Sequence, residues 1–149
     1  MASAPYPSAV NILLVEDDPD DVVFVRRAFA KVWADCKLYE VNNGEAALQF
    51  LRHEAEFGNA PSPDLILLDL NMPKKNGYDV LLELKQDDRL KHIPVVVLTT
   101  SSDHGSIMKA YQLHANSFIS KPVSAEQLNK IAELVIQYWF GAVGLPQEV

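Results

Sequence analysis

The chain has 149 residues, 48% of them apolar, a formal net charge of -7 and a single cysteine, Cys36. This length and apolar content suit one domain with a full core and leave no room for a second. The acidic balance argues against nucleic acid as a partner, a lone cysteine excludes an internal disulfide, and no apolar run reaches the roughly 18 residues of a membrane span. With no signal-peptide pattern at the start, a cytoplasmic protein without a membrane partner is expected.

Residues 1–9, with Pro5 and Pro7, read as a flexible leader to a domain over 10–140, and 141–149 as a C-terminal tail. Val10 to Val15 form a short apolar strand that ends in Glu16-Asp17-Asp18-Pro19-Asp20-Asp21. Asp18 as a cap, Pro19 in the first turn and acids facing the positive end of the dipole mark a helix start. That account covers Asp18, Asp20 and Asp21 and leaves Glu16 and Asp17 over. A helical stripe of Val22, Val25, Phe29 and Val32 follows, then a strand over Leu38 to Val41, a turn at Asn42-Asn43-Gly44 and a second helix carrying Ala47, Leu48, Phe50 and Leu51.

After a loop at Gly58 to Pro63, Leu65 to Leu68 are uniformly apolar, as in a parallel strand covered on both faces, and run into Asp69. Ligand crevices of parallel sheets lie beyond the carboxyl ends of the strands, which makes Asp69 the central candidate for chemistry. A third helix takes Val80, Leu81 and Leu84. Ile93 to Leu98 form another apolar strand, ending at Thr99. A weaker helix spans Gly105 to His114, and a poorer strand, Asn116 to Ser120, leads to Lys121-Pro122. Ser124 and Gln127 then form a capping box for a last helix with Leu128, Ile131, Leu134, Val135, Tyr138 and Trp139 on its apolar side. Five alternations of strand and helix give an α/β fold, a doubly wound five-stranded parallel sheet with helices on both faces.

The strand ends bring Glu16, Asp17, Asp69, Thr99 and Lys121 to one edge of that sheet. Three crowded carboxylates repel one another, so a hard divalent cation such as Mg²⁺ is their natural neutraliser. Asp69 is then placed to act as a nucleophile toward a phosphoryl group, with the Lys121 ammonium offsetting charge and the Thr99 hydroxyl donating a hydrogen bond. Consecutive Tyr138, Trp139 and Phe140 cannot all face inward, so a homodimer or kinase interface is expected on the last helix and C-terminal segment.

These residues resemble a response-regulator receiver domain from about Val10 to Phe140. The acid pair, Asp69, Thr99 and Lys121 stand in family order, with thirty residues from Asp69 to Thr99 and twenty-two from Thr99 to Lys121. The resemblance implies the flavodoxin-like receiver fold and Asp69 as phosphoacceptor. It also implies Mg²⁺ held by Asp17, Asp69 and the Asn71 carbonyl, with Glu16 acting through water, and a cis bond before Pro122. Thr99 and Phe118 become the switch pair that remodels the face of the fourth helix, fifth strand and fifth helix, although Phe stands where Tyr is more frequent. Asp69-Leu70-Asn71-Met72-Pro73-Lys74-Lys75, the long loop before it and Leu145-Pro146 are similar to the single-domain regulators paired with phytochrome-type histidine kinases. The function implied is a switch phosphorylated by such a kinase, not a turnover enzyme. The alternatives are a docking module independent of phosphorylation and a Mg²⁺-dependent phosphohydrolase, which would want an acid where this chain has Asn71.

Overall fold

The computed structural model describes residues 10–72, 75–100, 104–122 and 124–142. The leader, Pro73, Ser101 and residues 143–149 of the tail lie outside the described residues. The elements in order are β1 (Val10–Val15), α1 (Pro19–Val32), β2 (Cys36–Val41), α2 (Gly44–Leu51), a 3₁₀ turn (Ala55–Phe57), β3 (Leu65–Leu68), α3 (Gly77–Gln86), β4 (Val95–Thr99), α4 (His104–Gln112), β5 (Ser117–Ser120) and α5 (Ala125–Ile136), which runs into a π-helical turn (Gln137–Ala142). The strands form one parallel sheet in the order β2-β1-β3-β4-β5. This is the doubly wound receiver-type architecture expected from the sequence.

Uniformly apolar strands serve two cores at once, because successive side chains point to opposite faces. Leu13, Val15, Ile66, Leu68, Val95 and Val97 pack with α2, α3 and Ala110 of α4 on one face. Ile12, Leu14, Leu65, Leu67, Val96 and Leu98 pack with Val25 and Phe29 of α1 and with Leu128, Ala132, Val135 and Ile136 of α5 on the other. Side chains cap the helices: Asp18 Oδ1 accepts from the Asp20 and Asp21 amides at 2.9 and 3.4 Å, Asn43 caps α2, Asn76 caps α3, and Ser124 Oγ accepts from Gln127 N at 3.2 Å. On the outer edge of β2, Arg26 Nη1 donates to the Leu38 carbonyl at 2.9 Å.

Three departures from the sequence reading have local causes. β4 starts at Val95 and not at Ile93, since Pro94 has no amide to give, although its carbonyl accepts from Ile66 N at 3.0 Å. The long β2–β3 connection contains a 3₁₀ turn and is pinned to β1 by Asp64, whose Oδ2 accepts from Asn11 N at 2.9 Å while its amide donates to Asn11 O at 2.8 Å. In the last helix Leu134 and Tyr138 are exposed, whereas Phe140 is buried against the Trp33 ring, centroids 6.0 Å apart. Phe140 therefore belongs to the core and not to an interface, because the π-helical turn extends the inward row of Leu128, Ala132 and Ile136 to it. Trp139 packs partly against the same core, which leaves Tyr138 as the outward member of the trio.

Cys36 is half-buried at the start of β2, where burial, with a smaller contribution from Asp64, pushes its thiol up to about 11. Little thiolate exists at pH 8. Iodoacetamide should modify the folded chain roughly ten- to a hundredfold more slowly than the urea-unfolded chain, a gap that narrows as pH rises toward 11. Equal rates in the two states would contradict this burial.

Candidate functional site

Glu16, Asp69 and Thr99 sit where buried strands stop. The Glu16 amide, just past β1, donates to Val41 O at 3.0 Å, and the Asp69 amide, just past β3, donates to Val15 O at 3.0 Å. These ladder bonds lock two acidic residues side by side. Glu16 and Asp69 are only 2% and 5% exposed, while Asp17 is open to solvent. The three carboxylates offer oxygens that all lie within 4.8 Å of one another.

Thr99 ends β4 and is fully buried; its Oγ1 accepts from Asn71 Nδ2 at 3.4 Å. The Asn71 amide in turn donates to Asp69 Oδ1 at 3.3 Å. Lys121 follows β5, its amide fixed on Thr99 O at 2.8 Å. The Lys121 ammonium bonds the Glu16 carboxylate, lies 2.8 Å from Asp21 Oδ2 and stands 3.8 Å from Asp69 Oδ2.

Burial pushes the Glu16 carboxyl up to about 7, against the hydrogen bond from Lys121 and with the added repulsion of Asp69. Burial also works to lower the Lys121 ammonium, but its bonds to Asp21 and Glu16 and the charge of Asp69 outweigh that and hold it above the ordinary lysine range. Lys121 is therefore charged, yet one ammonium faces three carboxylates, with Asp17 grouped beside two of them. The remaining negative charge and an all-oxygen donor set fit a hard cation of the Mg²⁺ or Mn²⁺ kind.

The structure thus gathers Glu16, Asp17, Asp69, Asn71, Thr99 and Lys121 into one crevice. Phe118 stands farther off: it pairs with Val97 in the sheet, two positions before the Thr99–Ser120 pair, and its half-buried ring packs on the core face that carries Val97. Thr99, two residues on from Val97, shares that face. The Lys121–Pro122 bond is trans, where the resemblance implied cis. The trans form is the ordinary preference of an X-Pro bond, and in it Lys121 still reaches all three of its carboxylate partners.

Two contributors were not singled out in the sequence. Asp21 was assigned to the helix dipole alone, but from the first turn of α1 its Oδ2 also meets the Lys121 ammonium at 2.8 Å. Gly77 donates its amide to Leu70 O at 3.0 Å, and a Cβ there would fall 2.3 Å from the Asp69 carbonyl oxygen. Its signal was the closing glycine of the loop after Asp69.

Known proteins share this arrangement of chain. The family model of the response regulator receiver domain matches residues 12–133. Response regulator Rcp1 of Synechocystis is 42% identical over 135 residues, covering 91% of this chain and 92% of Rcp1. Among solved structures, the phosphorylated cyanobacterial phytochrome response regulator RcpA superposes with a TM-score of 0.88 at 42% identity, over 93% of this chain and 99% of that one. The Mn²⁺-bound form of Rcp1 gives 0.85 at 41% identity, over 93% and 99%. Among the described residues no helix is long and apolar enough to cross a membrane. A family match that runs from β1 into α5, with relatives of the same fold at 42% identity, makes this chain a member of the response regulator receiver domain family.

Proposed function

We propose that the protein is a phosphorylation-controlled signalling switch that takes a phosphoryl group from a histidine kinase onto Asp69. The observation that carries this reading is the placement of Asp69: buried, at the central strand end, 3.8 Å from the Lys121 ammonium and grouped with Glu16 and Asp17. An Asp69 carboxylate oxygen attacks the phosphorus of the donor phosphohistidine. The P–O bond forms as the P–N bond breaks, and the imidazole leaves with the electron pair and takes up a proton. Asp17, Asp69 and the Asn71 carbonyl, with Glu16 behind them, are the groups that would hold Mg²⁺. Bound there, the cation supplies charge withdrawal from the phosphoryl oxygens. Lys121 already stands near Asp69 and pairs with a phosphoryl oxygen at little reorganisation.

Thr99 then exchanges its bond with Asn71 for one to the new phosphoryl oxygen. On the same sheet face, Phe118 follows it, which changes the surface of α4, β5 and α5. The Asn71 side chain is tied to Thr99 and has no proton to exchange as an acid, which disfavours a phosphohydrolase. The description of RcpA as a cyanobacterial phytochrome response regulator supports a phytochrome-type kinase as donor, and Mn²⁺ in Rcp1 supports a divalent cofactor. Exposed Leu134 and Tyr138 on α5 and its extension offer the surface for a second copy or for the kinase.

Intact-mass spectrometry after incubation with acetyl phosphate tests this reading. One hydroxylamine-labile phosphoryl group per chain is expected with Mg²⁺, none in chelator, and none on Asp69→Asn. An adduct that persists on Asp69→Asn would place the acceptor elsewhere, and a folded wild type that never acquires one would leave a docking module that works without phosphorylation.

A further inference from the structure

β5 is the outer strand of the sheet, paired with β4 on one side only. The Lys121 amide turns inward to Thr99 O, so by the alternation of a strand Ile119 also turns inward and Phe118 turns its amide out. An outward amide on an edge strand is an open donor. Here it is taken: Phe118 N donates to the Tyr111 hydroxyl of α4 at 3.2 Å. The phenol oxygen stands where the carbonyl of a further strand would be.

α4 is lightly held by apolar packing, with Ala110 its one fully buried side chain among the described residues and Met108 and Tyr111 both exposed. A further side-chain hold on α4 is Lys109, whose ammonium lies 4.2 Å from the centre of the Tyr78 ring on α3. Lys109 thus ties α4 to α3, and Tyr111 ties it to β5 at the residue assigned to the switch. The sequence places a phenylalanine at 118, without a hydroxyl of its own. The hydroxyl that touches this position comes instead from the helix and grips the backbone.

We propose that Tyr111 is the positioning residue that couples α4 to Phe118, so that the helix and the switch strand are released together. The coupling rests on the phosphorylation reading given above. Thr99 is bonded to Asn71 here, the pairing that the reading above gives up on phosphorylation, and the Tyr111 bond is made beside it, so Tyr111 favours that unswitched arrangement. A net hydrogen bond of ordinary strength shifts a two-state equilibrium by about two- to tenfold, enough to set the minor-state population of a switch.

The test uses the full chain and Tyr111→Phe, which keeps the ring and removes the hydroxyl. Amide hydrogen exchange by NMR should show the α4 amides faster by one common factor of about two- to tenfold and Phe118, whose acceptor is gone, faster by at least that factor, with the β1 and β3 amides unchanged. Lys109→Gln, which removes the tie to α3 and keeps the Tyr111 bond, should quicken the α4 amides and Phe118 together. The rate of phosphorylation by acetyl phosphate should rise in Tyr111→Phe by the factor seen in exchange. Unchanged Phe118 exchange, or exchange that quickens at Phe118 but not in α4, overturns the coupling, as does a faster exchange with no change in phosphorylation rate. A wild type that accepts no phosphoryl group defeats the reading of Asp69, while the exchange data still decide for or against Tyr111.

Discussion

Gly77→Ala should cost about 3 kcal/mol of stability and weaken Mg²⁺ binding with it. The cause is space and not backbone freedom, since no described glycine has a positive φ. A Cβ at position 77 would lie 2.3 Å from the Asp69 carbonyl oxygen, 2.6 Å from Leu70 Cα and 3.0 Å from the Asp69 carbonyl carbon. All three are backbone atoms, so no flexible side chain can swing away. The strand end that carries the proposed phosphoacceptor must itself move, and the Gly77–Leu70 bond that closes the loop must lengthen. Urea unfolding should report a lower midpoint with an unchanged slope, and calorimetric titration a weaker metal. Gly58→Ala is the control, because a Cβ there meets nothing within 4 Å. A Gly77→Ala protein with the midpoint and metal affinity of the wild type would show that the Asp69 loop is not fixed by this approach.

Lys121→Met should slow phosphorylation by about a hundredfold or more while tightening Mg²⁺ binding. The opposite signs follow from one geometry. The ammonium lies among Glu16, Asp21 and Asp69, so it neutralises the same charge that attracts the cation, yet it is also a positive charge 3.8 Å from Asp69, placed to meet a phosphoryl oxygen. Breaking a buried ion pair from one side typically costs about 3–5 kcal/mol. Part of that is relieved here, because a Glu16 already raised to about 7 takes up a proton when Lys121 is gone. Adding Glu16→Gln should therefore restore most of the stability and none of the rate. Acetyl phosphate kinetics and metal titration on the single and double variants decide the matter. A Lys121→Met protein phosphorylated at the wild-type rate would remove Lys121 from the chemistry.

The residues at the strand ends were legible in the sequence because each is a polar group that stops an apolar run. Asp69 after Leu65 to Leu68 and Thr99 after Val95 to Leu98 each break a run in which every residue is apolar. The helix caps were legible for a similar local reason, as with Asp18 and Ser124. Contributions that depend on where distant elements meet were not. Gly77 reads as any loop glycine until Asp69 is set against it, and Tyr111 as any helical aromatic until its hydroxyl is found on β5. Phe140 was misplaced because a regular helical period cannot anticipate the π-helical turn that carries it inward. The trans bond before Pro122 departs from a family expectation that no residue of this chain encodes by itself.

The two-sided cores leave the central strands with a problem that the crevice solves. Leu65 to Leu68 and Val95 to Leu98 are apolar at every position, so sliding either by one residue would exchange its two faces and bury nearly the same surface. Burial alone does not tell such a strand where to stop. Asp69 and Thr99 do: one step inward would carry a carboxylate or a hydroxyl between apolar neighbours, away from Lys121 and Asn71. The groups proposed to perform the chemistry are thus also the stops that set the alignment of the sheet, and a receiver with apolar strand ends would lose its ruler along with the proposed acceptor.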